Sequence, residues 1–86
     1  MKNQEIIHLS VALRGKYKFR EAIDLVTKEL PNICSDLQSN AYIEMFHAAK
    51  EAGFNDEALK YAEIILKLEP GFPTASAYVA QYGSAP

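Results

Sequence analysis

The stretch from Asn55 to Gly71 restricts the fold more than any other part of the sequence. Its apolar residues recur at three- and four-residue intervals, as on one face of an amphipathic α-helix, and Pro70-Gly71 then interrupts the pattern. The apolar positions are Ala58, Leu59, Ala62, Ile65, Leu66 and Leu68. A helix with one apolar face must bury that face, so this segment requires neighbouring helices.

The same periodicity, interrupted by short polar or Gly/Pro turns, covers the rest of the chain. It predicts helices from Gln4 to Leu13, from Phe19 to Leu30, from Ser35 to Ala52, from Asn55 to Glu69 and from Ala75 to Tyr82, the last with Pro73 in its first turn. No segment shows the alternation of a strand. We therefore expect an all-α fold in which short turns join antiparallel helices.

Three residues near the predicted helix ends suggest how the ends are stabilised. Ser35 and Gln38 have the spacing of a capping box, and Asn55 is a residue that favours an N-cap. Gly53 suits the left-handed backbone that ends many helices. We expect the third helix to begin at Ser35 and to end at Gly53.

The bulk properties indicate one soluble domain, residues 1–86. A chain of 86 residues with 49% hydrophobic content forms one core, and its net charge of −2 argues against binding to nucleic acid or to an anionic membrane. Cys34 is the single cysteine, which excludes an intrachain disulfide, and no apolar run approaches the roughly 20 residues that span a bilayer. These features, with the lack of a secretory leader pattern, predict a cytoplasmic protein.

The segment from the third helix to Pro70 resembles the tetratricopeptide repeat. The residues that carry the resemblance are Tyr42, Met45, Phe46, Ala49, Gly53, Ala58, Ala62 and Pro70, with Asp56-Glu57-Ala58-Leu59 and Leu66-Lys67-Leu68-Glu69-Pro70 as its most specific parts. A weaker match upstream contains Ile6, Leu9, Ser10, Leu13, Phe19, Ala22, Ile23, Val26 and Leu30. Ala22 and Ala58 are 36 residues apart, close to the family period of about 34.

The resemblance implies two stacked antiparallel helical hairpins and a C-terminal capping helix. Repeat 1 would cover about residues 4–34, repeat 2 about 37–70 and the capping helix about 73–82. The pattern departs from the family at Phe46, where a small residue is usual, and at Tyr17, where a turn glycine is common.

Proteins of this family bind partners on the concave face formed by the first helix of each hairpin. Carried over to this sequence, that face consists of Gln4, Ile7, Val11, Arg14, Asn40, Ile43, Glu44, His47, Lys50 and Tyr78. The lysine, asparagine and arginine positions with which one subfamily grips a C-terminal carboxylate are here Ile7, Val11, Glu44, Thr74 and Tyr78, so that carboxylate clamp is absent.

An aliphatic strip remains on this face, formed by Ile7, Val11 and Ile43 and edged by Arg14, His47 and Lys50. Such a strip suits a helical or extended peptide segment from a protein partner. The alternative is that neighbouring helices already cover the strip.

No constellation in the sequence points to catalysis, a metal or a cofactor. His8 and His47 are isolated from other ligand-type residues, and Cys34 lacks an activating pattern and is expected to pack as a structural thiol. The basic cluster Arg14, Lys16, Lys18 and Arg20, interleaved with Tyr17 and Phe19, could receive a phosphate or an acidic peptide, or could be a solvated turn with inward aromatic residues.

The sequence thus predicts a non-enzymatic protein-binding module, such as a small chaperone or adaptor. A structural alternative is a homodimer formed through the apolar strip or the last helix.

Overall fold

The computed structural model describes residues 3–83, which form five α-helices and no strand. The helices are α1 (Asn3–Gly15), α2 (Phe19–Glu29), α3 (Ser35–Ala52), α4 (Asn55–Leu68) and α5 (Pro73–Tyr82), with a 3-10 turn at Leu30–Asn32. The prediction of an all-α fold is confirmed, and the helix bounds lie within a few residues of those predicted.

Consecutive helices pack on one another in antiparallel pairs. At the α3–α4 turn the Phe54 amide donates to the Ala49 carbonyl, and farther from the turn the rings of Tyr42 and Tyr61 are 6.4 Å apart. Between α1 and α2, the Ser10 hydroxyl donates to the Ala22 carbonyl, 3.4 Å away. Helix α3 also contacts α1, so the two hairpins are stacked rather than merely joined.

The core combines small residues on four helices with one large aromatic side chain. The fully buried alanines are Ala22, Ala41, Ala48, Ala49, Ala58, Ala62 and Ala75. Such small side chains let helices approach closely, and larger ones fill the space beside them. Phe46 is fully buried at the centre of α3, and its ring meets that of Tyr78 edge-on with centroids 5.3 Å apart.

The two left-handed positions of the described backbone lie in turns. Gly53 has a φ of 81° and ends α3, as predicted. Between α1 and α2 the same role falls to Tyr17, at a φ of 62°, rather than to Gly15, which remains helical. Tyr17 is 81% exposed, so the interpretation that it packs inward is wrong, whereas Phe19 is half-buried.

The predicted helix caps at Ser35 and Asn55 are wrong. Cys34 and Phe54 occupy the N-cap positions, neither forms a side-chain cap hydrogen bond, and Ser35 and Asn55 are already the first helical residues. Gln38 instead donates to the Ile33 carbonyl at 3.2 Å. Cys34 is exposed, which contradicts its assignment as a packing thiol.

Candidate protein-binding face

One side of α1 lies along α3. Ile7, Val11 and Arg14 follow one another at four- and three-residue spacing, which places them on the same side of the helix. Arg14 reaches α3 through ion pairs, and Ile7 lines a shallow cleft of about 290 Å³ with Gln4, His8, Leu37 and Asn40. We call this side of the molecule, with α5 at its far end, the α1–α3–α5 face.

An ion-pair cluster joins the C-terminal end of α1 to α3 on this face. Arg14 donates from Nε to Oε1 of Glu44 at 2.7 Å and from Nη1 to Oε2 of Glu51 at 2.6 Å. The Glu44 side chain is 8% exposed, whereas that of Glu51 is 43% exposed. The Arg14–Glu44 pair is therefore the one whose disruption should cost more, because loss of Arg14 would leave a nearly buried carboxylate unpaired, whereas exposed ion pairs contribute little.

The electrostatic environment of this cluster shifts two ionisable groups in opposite senses. Burial raises the pKa of Glu44 above its ordinary value, although the hydrogen bond and the charge of Arg14 act in the other direction. Burial also lowers the pKa of His47, and the nearby charges of Arg14 and Lys50 lower it further. His47 is half-buried, and the centre of its ring lies 5.5 Å from that of Phe46.

A second cleft of about 430 Å³ lies between α3 and α5. Its lining consists of Lys50, Thr74, Ala77, Tyr78, Gln81 and Tyr82. The rings of Tyr78 and Tyr82 are 4.6 Å apart, and the Tyr78 hydroxyl donates to Oδ1 of Asn55 at 3.4 Å. Lys50 is exposed, and its ammonium lies 5.5 Å from the centre of the Phe46 ring.

The residues predicted for the binding face are distributed unevenly between surface and interior. Val11 is 42% exposed, Gln4, Asn40 and Lys50 are exposed, and Ile7, Arg14, Ile43 and His47 are half-buried. Glu44 and Tyr78 are buried, with 6% and 7% exposure, and their polar side-chain atoms form hydrogen bonds with Arg14 and Asn55 of the same chain. The aliphatic strip is thus open at Val11 and partly covered at Ile7 and Ile43.

Sequence reasoning missed several residues of this face. Glu51 follows Glu44 by seven residues, two turns along the same side of α3, and that spacing was the available signal. Ala77, Gln81 and Tyr82 line the second cleft, but nothing in the sequence sets the angle at which α5 meets α3.

In the basic turn between α1 and α2, two of the four basic side chains are already paired with carboxylates of the chain. Arg20 pairs with Glu57 through Nη1 and Oε2 at 3.1 Å, and its guanidinium lies 4.6 Å from the centre of the Phe54 ring. With Arg14 also paired, Lys16 and Lys18 are the exposed lysines of this turn. Half of the predicted cluster thus connects the two hairpins.

Two ion pairs between the hairpins share one sequence separation. Arg14 and Glu51 join α1 to α3, Arg20 and Glu57 join α2 to α4, and both pairs span 37 residues. Corresponding helices of the two hairpins are thus joined at the same sequence offset.

Within residues 3–83, no group of three or more His, Cys, Asp or Glu side chains is arranged to hold a metal ion. In the same range, no helix has the length and apolar character needed to cross a membrane. A scan against protein-family models, a search of curated proteins and a search of solved structures each found no match.

Proposed function

We propose that the chain is a protein-binding module that receives a helical segment of a partner along the α1–α3–α5 face. The observation that carries the proposal is Val11, an aliphatic side chain 42% exposed, about one helical turn from both Ile7 and Arg14 on the same side of α1. An amphipathic helix that covers Val11 would bury apolar surface at three- and four-residue spacing. The proposal assigns no reaction to the protein.

A tetratricopeptide-like stacking of the hairpins is part of the proposal. It is supported by the shared offset of 37 residues in the ion pairs, by the buried alanines Ala22 and Ala58, and by the left-handed Gly53 in the second turn. A small chaperone or adaptor is the role such a module would suit. We infer a cytoplasmic location for it, since a single cysteine offers no intrachain disulfide.

The experiment that tests the proposal compares two aspartate substitutions on α1. Val11 and Leu9 are both aliphatic, lie on the same helix and are 42% and 43% exposed, but they point to different sides. Peptides selected from a helical display library against the wild-type chain are titrated into Val11→Asp and Leu9→Asp, with circular dichroism to verify that both variants remain folded.

We expect Val11→Asp to lose binding and Leu9→Asp to retain it. The reverse result would move the binding surface to the outer side of α1, where Leu9 lies beside Glu5 and His8. Ile43→Asp is less suitable, because Ile43 is half-buried and packed against the core.

A homodimer remains the second candidate because two large apolar side chains are exposed near the last helix. Leu68 is 48% exposed at the end of α4, and Tyr82 is 54% exposed at the end of α5. Light scattering at several concentrations tests this candidate, since a monomer at every concentration would exclude it.

A further inference from the structure

We propose that the partner helix carries an acidic residue that binds Lys50, about two helical turns from the residue that covers Ile43. This inference rests on the proposed function and names the chemistry of the partner. It follows from the charges on the α1–α3–α5 face, from the lining of the α3–α5 cleft and from the geometry of α3.

The two permanent cations of the face differ in how their charge is balanced. Arg14 is held by two carboxylates of its own chain, Glu44 and Glu51. Lys50 forms no ion pair with any carboxylate of residues 3–83, although Glu51 is its neighbour in sequence, because Glu51 is directed to Arg14. Lys50 is thus the cation whose charge is left for a partner.

The surroundings of Lys50 favour an anionic group over a cationic one. None of the residues that line the α3–α5 cleft is acidic, and Thr74 and Gln81 supply a hydroxyl and an amide that can donate hydrogen bonds. The ring of Phe46 lies below the ammonium and restricts its position. A carboxylate in this cleft would meet an ammonium, polar donors and the side chains of Tyr78 and Tyr82.

The geometry of α3 sets the spacing that the partner must have. Ile43 and Lys50 are seven residues apart, which places them on the same side of α3 at a separation of about 10 Å. A partner helix alongside α3 rises by the same amount per residue. Its acidic residue must therefore lie about seven positions from the apolar residue that covers Ile43.

The test uses synthetic alanine-based helical peptides with three leucines at three- and four-residue spacing. One variable position, seven residues from a central leucine, is Glu, Gln or Lys. Each peptide is made in two versions, with this position on the N-terminal or on the C-terminal side of the leucine, because α3 does not fix the direction of the partner. Dissociation constants are measured by titration of amide chemical shifts. We expect the Glu peptide to bind about fivefold more tightly than the Gln peptide, and the Lys peptide more weakly than both.

Lys50→Glu should reverse this order, and Lys60→Glu is the matched control. Both lysines are exposed, and their ammonium groups lie 5.5 Å and 5.6 Å from the ring centres of Phe46 and Tyr61, so the two substitutions change net charge and ring contact alike. Lys60 lies on α4, away from the α3–α5 cleft. The control should retain the preference for Glu.

The outcomes separate the two proposals. If the Gln and Glu peptides bind equally, the acidic preference is wrong while the binding face stands. If no peptide binds in either direction, the proposed function fails with it. If the chain instead self-associates through this face and Lys50→Glu abolishes the association, the occupant is a second copy and the inference is overturned.

Discussion

Replacement of Arg14 by methionine should destabilise the protein by an amount that depends on pH. The change keeps much of the side-chain volume but leaves Glu44 without its cation, and the Glu44 side chain is 8% exposed. Loss of one partner costs about 3–5 kcal/mol in a fully buried pair. Because the Arg14 side chain is 24% exposed, water can enter, and we expect about 2 kcal/mol in neutral solution.

The pH dependence follows from the raised pKa of Glu44. Burial already raises this pKa above the ordinary value of 4.5, and removal of Arg14 eliminates the two influences that lower it. Between the unfolded and the folded pKa, Glu44 of the folded variant holds a proton that Glu44 of the unfolded chain has lost. The stability of the variant is therefore fully retained below the unfolded pKa and falls as the pH rises through the folded pKa. The cost should be small below the ordinary value of 4.5 and should grow as the pH rises above it.

The assay is urea unfolding of Arg14→Met and of the double variant Arg14→Met/Glu44→Gln over this pH range. The difference in free energy of unfolding between the two variants isolates Glu44, because other titrating groups are common to both. We expect the double variant to recover most of the loss at high pH. A difference that stays constant with pH, or no recovery, would refute the view that Glu44 is a buried carboxylate neutralised by Arg14.

Three further predictions follow from the turns, the core and His47. Tyr17→Gly should stabilise the chain by about 0.5 kcal/mol, because a φ of 62° strains any residue but glycine. Gly53→Ala should destabilise it by about 1 kcal/mol through backbone strain at a φ of 81°, since an added Cβ meets no atom within 4 Å. Urea midpoints that shift in the same direction for both variants would contradict this reasoning. Phe46→Ala should cost about 3–5 kcal/mol and Phe46→Leu much less, as measured by thermal unfolding, and similar losses would mean that ring volume is not what fills the core. The pKa of His47 is lowered by burial and by nearby cations, so its contribution to stability is present above the ordinary pKa of 6.5 and is lost as the pH falls through the folded pKa. His47→Gln should flatten the dependence of the unfolding free energy on pH in that range. An unchanged dependence would assign the slope to another group.

The helices could be predicted from sequence because their limits are local features. Gly53 and Pro70-Gly71 interrupt a clear three- and four-residue periodicity, and the structure ends α3 and α4 there. The N-cap residues were less predictable, because an N-cap depends on one backbone conformation and one side-chain hydrogen bond. Helix α3 begins at Ser35 as predicted, but Cys34 rather than Ser35 occupies the N-cap position.

The candidate binding face depends on contacts that local patterns do not encode. The Arg14–Glu44 ion pair joins residues 30 positions apart and exists only in the register at which α1 lies on α3. Without that register, the sequence predicts Glu44 as a residue available to a partner. Tyr78 lines the α3–α5 cleft, and its burial against Phe46 depends on the angle of the last helix.

The central position of α3 has a consequence for how the molecule opens. Helix α3 contacts α1, α2 and α4, and it meets α5 through the rings of Phe46 and Tyr78. Detachment of α5 would expose the largest fully buried side chain of the protein while leaving the first hairpin intact. Amide hydrogen exchange should therefore be slowest in the middle of α3 and fastest in α5. The first partly unfolded state would then expose the Phe46 ring, an apolar surface that favours aggregation.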